Sequence, residues 1–452
     1  MLHETKEAPG VALPDAQSAK LFERGRHVFP DGTTRVTVER DPMPRYILKG
    51  EGAYLIDVDG QRFLDLNNNF TTLIHGHGFA PAMDAVERLL RDGTCFSNPT
   101  AHEIELAELL VGRIPAVEQI RFVNTGTEAV MFAIKAARAF TGRPGIAKIE
   151  GAYHGSYDWA EAGQGGTPST WGSPEAPVAV PSYVGTPASV ADDVVILRFN
   201  DADGARRRIA AAADCLACVL LDPMPSRGGL IPPEPEFIAA VVETARHHGI
   251  LVVCDEVLNL RQSYRGASAR YGIEPDLIAA GKIIGGGFPI GAIGGSRRVM
   301  SVFDVSSGRA KVAQGGTFSA NPVSMVAGRV SMEAMSEAAF DRLEEMGNRL
   351  RAALTNSIER HQAHFVISGV ASLFRIHPKQ TLPRDYREAY PSAGEAAALK
   401  SMSRFFRDEG IILPAGAAAC LSTAMSDAEI DKIANVFDRF LATTPASTEE
   451  VR

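Results

Sequence analysis

Short apolar runs that stop at charged or glycine residues alternate with amphipathic segments through the middle of this chain. Residues 250–254 form an unbroken apolar run that stops at Asp255, and residues 277–280 form a second run that stops at Gly281 and Lys282. Apolar runs of this length are typical of strands that are buried on both faces. Because the carboxyl ends of parallel strands form the ligand crevice of an open sheet, Asp255 and Lys282 are predicted to point into one crevice.

The same alternation extends towards the N-terminus. Further strands are predicted at residues 119–123, 145–149 and 216–221, and helices are predicted after Gly126 and over residues 235–248. Alternating strands and helices predict an α/β fold with a mainly parallel, doubly wound sheet that carries helices on both faces. Thr100 and Glu103 stand at the spacing of a capping box and predict the start of another helix.

The pattern changes at both ends of the chain. Two strand-like runs flank an Asp-Gly turn at residues 59–60 and predict a hairpin. Beyond Pro322, helices are predicted over residues 323–358, 395–409 and from 427, with short strands within 365–376. We therefore predict an N-terminal segment (1–77) and a C-terminal part (323–452) that together form a smaller α+β domain, beside a large domain (78–322). Residues 1–19 are expected to be loosely ordered.

Composition and charge exclude several classes of function. The chain of 452 residues is 45% hydrophobic with a net charge of −8, so nothing favours a nucleic-acid or membrane partner. No run reaches the roughly 18 apolar residues of a membrane span, and residues 1–20 lack the apolar core of a secretory signal. Five scattered cysteines fit a reduced cytoplasm, which is the expected location. His75 and His77 have no third ligand nearby, so no metal site is predicted.

A lysine and a carboxylate in one crevice suit one particular cofactor. Pyridoxal 5′-phosphate (PLP) is held as a Schiff base on a lysine, and a carboxylate keeps its ring nitrogen protonated. Lys282 is the candidate Schiff-base lysine and Asp255 the candidate partner of the ring nitrogen. On these two residues alone, the alternative that both are ordinary strand-end residues stays open.

A candidate phosphate site follows the strand at residues 119–123. Thr125, Gly126 and Thr127 open a helix, where free backbone N–H groups and the helix dipole favour an anion. A plain N-cap without a ligand explains the same residues. The spacings of the Walker A and dinucleotide motifs are absent, which argues against a nicotinamide dehydrogenase. Tyr153 follows the next strand and is either a stacking platform for a planar ring or a core tyrosine.

Five motifs in order resemble the class III aminotransferase family of fold-type I PLP enzymes. They are Asn-Thr-Gly-Thr-Glu-Ala (124–129), Tyr-His-Gly (153–155), Asp-Glu-Val (255–257), Gly-Lys-Ile-Ile-Gly-Gly-Gly (281–287) and Gly-Gly-Thr-Phe-Ser-Ala-Asn-Pro (315–322). Within the family the chain is similar to glutamate-1-semialdehyde aminomutases and to β-phenylalanine-type aminotransferases. The resemblance implies the following cofactor-binding residues: Thr125, Gly126, Thr127, Tyr153, His154, Asp255, Val257, Lys282 and Thr317.

The resemblance also implies what several of these residues do. Lys282, Asp255 and Tyr153 are the implied catalytic residues, with Tyr153 and Val257 on opposite faces of the cofactor ring. Thr317 is implied to reach the phosphate of the neighbouring subunit, so that a homodimer shares its active sites. The implied partners are small molecules, an amino donor and a keto acid acceptor.

The substrate side departs from the family pattern. In β-phenylalanine-type enzymes two arginines bind the substrate carboxylate; Arg35 matches the first, but Ala415 stands at the second, and Arg375 is a candidate substitute. Asp222 stands where relatives have glutamate, and the N-terminal and C-terminal motifs of the aminomutases are missing. The resemblance therefore implies an aminotransferase for a β- or ω-amino acid or related amine. A glutamate-1-semialdehyde-type 2,1-aminomutase and a non-catalytic PLP-binding protein remain as alternatives.

Overall fold

The computed structural model describes residues 16–306 and 308–443. The strands in this part of the chain are β1 (Ile47–Glu51), β2 (Tyr54–Asp57), β3 (Arg62–Asp65), β4 (Gln119–Val123), β5 (Gly145–Ile149), β6 (Val194–Leu197), β7 (Leu216–Leu221), β8 (Leu251–Asp255), β9 (Leu277–Gly281), β10 (Gly291–Gly295), β11 (Val366–Ser368), β12 (Leu373–His377), β13 (Ile411–Ile412) and β14 (Ala418–Cys420).

The helices lie between these strands and dominate the C-terminal part. They are α1 (Ala16–Arg26), the left-handed turn α2 (Asn68–Thr71), α3 (Ala80–Leu89), α4 (Ala101–Arg113), α5 (Gly126–Thr141), α6 (Asp158–Glu161), α7 (Ala188–Asp192), α8 (Ala202–Ala211), α9 (Pro235–His247), α10 (Ala267–Arg270), α11 (Arg297–Met300), α12 (Pro322–Ala334), α13 (Glu337–His361), α14 (Tyr386–Ala389), α15 (Ala393–Asp408) and α16 (Asp427–Thr443). Short 3₁₀ turns cover Asn259–Gln262, Lys282–Gly285 and Ser301–Phe303.

A seven-stranded sheet in the order β4-β10-β9-β8-β7-β5-β6 forms the centre of the molecule. Strands β9, β8, β7, β5 and β6 run parallel, as predicted, and β10 runs antiparallel between β4 and β9. The strand β10 was not predicted because glycines interrupt its apolar pattern. Its tight packing explains them: a Cβ on Gly291 would lie 2.0 Å from the carbonyl oxygen of Thr125.

Helices cover both faces of this sheet, which confirms the doubly wound α/β arrangement. On one face, α5 packs Val130 and Ile134 into a buried apolar cluster with strand residues such as Val253. On the other face, Phe237 and Val241 of α9 pack against the alternate strand residues. Strands buried on both faces have no polar side to present, which accounts for their uninterrupted apolar sequences.

The two ends of the chain meet in smaller sheets. Strand β13 pairs in parallel with β3, with Ile411 opposite Leu64, and so joins the N-terminal hairpin to the C-terminal part. The domain boundaries at residues 77 and 322 stay a prediction. Within the described ranges, no helix is both long and apolar enough to span a lipid bilayer.

Two local predictions were wrong. Of residues 1–19, which were expected to be irregular, 1–15 lie outside the described part, but residues 16–19 belong to α1. Helix α4 begins after Thr100 as predicted, but the Thr100 side chain caps nothing there. Its hydroxyl is buried without a partner in the described part of the chain. The reciprocal capping box forms instead at Ser392 and Glu395, at the start of α15.

Candidate active site

Three titratable residues stand at the carboxyl ends of three adjacent parallel strands. Asp255 ends β8 and lies opposite Ala279 of β9, which places it close to Lys282, the first residue after β9. Asp222 directly follows β7, whose last residue Leu221 lies opposite Cys254. All three line one cavity of about 410 Å³. The strand-end argument thus places Asp255 and Lys282 together, and the structure adds Asp222.

Lys282 is held in an unusual backbone conformation with a poorly solvated amine. Its φ of 52° lies in the left-handed region, which a non-glycine residue adopts at a cost and which clusters at functional sites. Nζ donates a hydrogen bond to Thr71 Oγ1 at 3.4 Å. Burial lowers the pKa of Lys282 to about 8 and the Arg261 guanidinium adds to this effect, whereas Asp255 opposes it. A neutral, nucleophilic amine is therefore accessible near neutral pH.

The partner Thr71 comes from a feature that the sequence analysis missed. Asn68, Asn69, Phe70 and Thr71 all have positive φ values between 47° and 71°. The turn places Asn69 in the lining of the cavity and Thr71 next to Lys282. A run of three asparagines at 67–69 was the available signal, because asparagine tolerates the left-handed region better than most residues.

Asp255 is fixed by two hydrogen bonds. Its Oδ2 lies 2.6 Å from His154 Nδ1, and its Oδ1 accepts a hydrogen bond from the Val257 N–H at 2.9 Å. Burial lowers the pKa of His154, so the neutral imidazole donates Nδ1–H to the carboxylate. His154 Nε2 is buried and has no protein partner within residues 16–306 and 308–443. The two hydrogen bonds orient the Asp255 carboxyl group in the cavity.

The start of α5 forms a cradle for an anion. Thr125 is the N-cap residue, and its side chain accepts a hydrogen bond from the Glu128 N–H at 3.1 Å. The described residues provide no acceptor for the N–H groups of Gly126 and Thr127, which line the cavity. A Cβ on Gly126 would lie 2.8 Å from Val257 Cγ1, so a glycine is needed for this close approach. Free N–H groups at a helix N-terminus suit a phosphate.

Replacing Gly126 with alanine is expected to weaken PLP binding. The added methyl group would push Val257, whose branched side chain has little freedom to move, and so would shift the start of α5. A loss of about 1–2 kcal/mol, or roughly 5- to 30-fold in the dissociation constant, is expected by fluorescence titration of the apoprotein. Gly112→Ala is the matched control, because a Cβ there meets nothing within 4 Å. Equal PLP affinities of the two variants would contradict the cradle.

Of the remaining predicted site residues, some line this cavity and others lie outside it. Tyr153 is half exposed and lines the cavity together with His154 and Val257. Thr317 lies elsewhere, in an open cleft of about 1590 Å³ that residues 95–100 also line. Arg35 is exposed and is not among the residues that line the cavity.

Arg375 contacts the loop that follows β7, beside the cavity. Its guanidinium donates to the carbonyl oxygens of Ser226 at 2.8 Å and Arg227 at 3.4 Å. Ser226 lines the cavity, so Arg375 supports the loop that follows β7. Burial lowers the pKa of Arg375 to about 10, consistent with an enclosed structural arginine. Its predicted carboxylate-binding role stays a prediction.

Comparisons with known proteins agree on one family. The family model described as aminotransferase class-III matches residues 36–441. The chain is 36% identical to a glutamate-1-semialdehyde 2,1-aminomutase of Methanothrix thermoacetophila, over 94% of this chain and 96% of that protein. Among solved structures, an omega-transaminase from Sphaerobacter thermophilus matches with a TM-score of 0.91 and 46% identity, covering 95% of this chain and 98% of that one. A β-phenylalanine aminotransferase from Variovorax paradoxus matches with a TM-score of 0.86 and 32% identity, covering 96% of each chain.

Proposed function

Because the chain belongs to the class III aminotransferase family and is a PLP-dependent enzyme of the fold-type I class, we propose that it transfers an amino group from a β- or ω-amino acid or related amine to a keto acid. The observation that carries this proposal is the placement of Lys282 and Asp255 at adjacent strand ends in one cavity. The likeness to an omega-transaminase and a β-phenylalanine aminotransferase along nearly the whole chain supports the substrate class.

The residues that line the cavity fit PLP. The N–H groups of Gly126 and Thr127 would bind the phosphate, and the Asp255 carboxylate would accept a hydrogen bond from the protonated ring nitrogen. Lys282 Nζ would bind the aldehyde carbon, and the half-exposed Tyr153 ring would pack against the cofactor. When bound, the cofactor supplies an electron sink for the carbon that carries the amine. The homodimer, with Thr317 reaching the phosphate of the neighbouring subunit, stays a prediction.

The residues of this chain would control the proton movements. Lys282 Nζ, whose pKa of about 8 makes a neutral amine accessible, would accept the proton from the substrate carbon and return it to the product. The His154 hydrogen bond would keep Asp255 aligned throughout. Positioned acid–base transfer of this kind contributes about 10²–10⁴-fold to a rate.

A second candidate is an intramolecular 2,1-aminomutase, which is favoured by the 36% identity to a protein of that name. The two differ in their need for a separate acceptor. Purified holoenzyme would be assayed with β-phenylalanine and 1-phenylethylamine, each with pyruvate or 2-oxoglutarate, and with glutamate-1-semialdehyde alone. Turnover that depends on a keto acid supports the aminotransferase. Turnover of the semialdehyde without an acceptor, with none on the amines, would replace it with the aminomutase.

Arg35→Ala tests how the substrate carboxylate is recognised. If Arg35 binds it, the KM for β-phenylalanine is expected to rise about 10- to 100-fold, because a hydrogen bond to a charged group contributes about 1.5–3 kcal/mol. The KM for 1-phenylethylamine, which has no carboxylate, is expected to change little. Steady-state assays of both substrates measure the difference, and Arg24→Ala, another exposed arginine near the N-terminus, is the control. Equal effects on the two substrates would reject the role.

A further inference from the structure

Two carboxyl groups lie side by side in the cavity, although the mechanism above uses one of them. The β7–β8 register carries on from Leu221 opposite Cys254 to Asp222 beside Asp255. Asp222 is 7% exposed and Asp255 is 5% exposed, and both line the cavity. Two buried carboxyls that interact this closely do not both ionise readily, so one of them is expected to hold a proton.

The hydrogen bonds distinguish the two groups. Asp255 is paired with His154, as described above, whereas no cation forms a salt bridge with Asp222 among the described residues. Asp222 Oδ1 accepts two hydrogen bonds, from Asn259 Nδ2 at 2.6 Å and from the Met224 N–H at 3.0 Å. In the neutral form of Asp222, the oxygen that accepts these two hydrogen bonds is the carbonyl oxygen of the carboxyl group. The other oxygen, Oδ2, has no hydrogen-bond partner in the described part of the chain and is the one left to carry a proton.

A chain of buried side chains fixes this orientation. Gln262 Nε2 donates to Asn259 Oδ1 at 2.7 Å, so the Asn259 amide must present its NH₂ group to Asp222. Tyr271 in turn donates its hydroxyl hydrogen to Gln262 Oε1 at 2.8 Å. Asn259 and Gln262 are each 1% exposed. Asp222 therefore cannot turn its second oxygen away from the cavity without breaking this chain of hydrogen bonds.

The charged surroundings favour the neutral form of Asp222. Burial first, and then the neighbouring Asp255 carboxylate, raise the pKa of Asp222 to about 7, whereas the hydrogen bonds from Asn259 and the Met224 N–H, and then Lys282, oppose the shift. The titratable groups around it are Asp255 and Cys254 on β8, Lys282 after β9 and Lys148 on β5, and Arg227 acts in turn on Lys148. Lys148 interacts with Asp222 through its charge but forms no salt bridge with it in the described part of the chain, because Nζ donates to the carbonyl oxygens of Ala152 and Ala162.

We propose that Asp222 is a further hydrogen-bond donor of this site, which enters the cavity as a neutral carboxyl and donates a hydrogen bond from Oδ2–H to an oxygen atom of the bound cofactor or substrate. Its deprotonation at alkaline pH removes this donor and places a second negative charge beside Asp255. Enzymes commonly give two neighbouring carboxyls different roles by placing them in environments that shift their pKa values apart. The proposal depends on the proposed function in one respect, namely which molecule accepts the hydrogen bond. The neutral state of Asp222 does not depend on it.

Asp222→Asn and Asp222→Ala test the donor. The asparagine amide would accept the same two hydrogen bonds on Oδ1 and donate from Nδ2 into the cavity, as the neutral carboxyl does, but it would not titrate. We expect the asparagine variant to be about 2- to 13-fold more active than the alanine variant, since one hydrogen bond contributes about 0.5–1.5 kcal/mol. We expect kcat/KM of the wild type to fall above about pH 7, as Asp222 loses its proton, and we expect this fall to be absent in Asp222→Asn. If both variants are equally impaired, or if the alkaline fall persists in Asp222→Asn, the proposal is overturned.

The apoprotein provides a test that needs neither the cofactor nor a substrate. The pKa of this carboxyl is about 7 in the folded state and 3.8 in the unfolded state, so between these pH values only the folded state retains the proton. The free energy of unfolding therefore decreases as the pH rises through this window. The melting temperature of the wild type is therefore expected to fall relative to that of Asp222→Asn between pH 5 and pH 8. Asp304→Asn, at an exposed carboxyl, is the control and is expected to parallel the wild type. If the melting temperature of Asp222→Asn also changes with pH in parallel with that of the wild type, Asp222 is ionised in the folded protein and the proposal fails. This outcome does not depend on which amine the enzyme uses.

Discussion

Lys282→Ala is expected to lower the rate of amino transfer by at least about 10⁴-fold, the upper end of what one positioned acid–base group contributes. The variant loses both the amine that would bind the cofactor aldehyde and the group that would carry the substrate proton. We expect the visible absorption band of the wild type to disappear on borohydride treatment, and the variant to lack a covalently retained cofactor after gel filtration. Absorption spectra and the rate of keto acid consumption measure both effects.

The control for this experiment is Lys49→Ala, which removes an exposed lysine of β1. Its spectrum and activity are expected to match those of the wild type. The pH dependence provides a further check, because the pKa of Lys282 is lowered to about 8. The rate at which the apoprotein reacts with PLP is expected to rise with pH as the amine loses its proton and to level off above about pH 8. A variant that retains covalently bound cofactor would refute the role of Lys282.

The second large effect is expected for Asp255→Ala. Removing the carboxylate leaves the ring nitrogen without its charged partner and the buried Nδ1–H of His154 without an acceptor. Loss of one preorganised electrostatic partner costs about 10²–10³-fold in kcat, and an unsatisfied buried donor costs about 1–3 kcal/mol of stability. We expect kcat to fall by at least about 10²-fold while PLP still binds through its phosphate and Lys282. Steady-state kinetics, PLP titration and thermal unfolding measure the three quantities.

His154→Gln separates the direct effect from the indirect one. Since His154 acts through Asp255, we expect a smaller loss of kcat in this variant than in Asp255→Ala. Asp255→Ala with a kcat within tenfold of the wild type would remove Asp255 from the mechanism. A loss of PLP binding in Asp255→Ala, without any change in His154→Gln, would assign Asp255 a role in anchoring the cofactor instead.

Much of the central fold could be predicted because its signals are local. The apolar runs that end at Asp255 and Lys282 have the length and composition of strands buried on both faces, and both form adjacent strands of the central sheet. The helix that starts at Gly126 was predicted in the same way, from its position after a strand and its apolar periodicity. In such segments the local pattern of apolar and polar residues already indicates whether a strand or a helix buries the apolar side chains.

The features that escaped prediction depend on contacts between distant parts of the chain. Strand β10 is recognisable once its glycines are seen to pack against the backbone of its neighbours. The His154–Asp255 pair joins residues 101 positions apart, and Arg375 contacts the loop after β7, 149 positions away. No local periodicity indicates which side chains will meet across such separations.

The sequence by itself determined the buried strands, the helices between them and the residue types that the cofactor chemistry needs. Only the tertiary structure decided that Asp222 lies beside Asp255, since that neighbourhood follows from the order and register of β7 and β8. The physical reason is that hydrophobic burial is encoded in local patterns, whereas the charge of a buried carboxyl depends on which groups the folded chain brings around it.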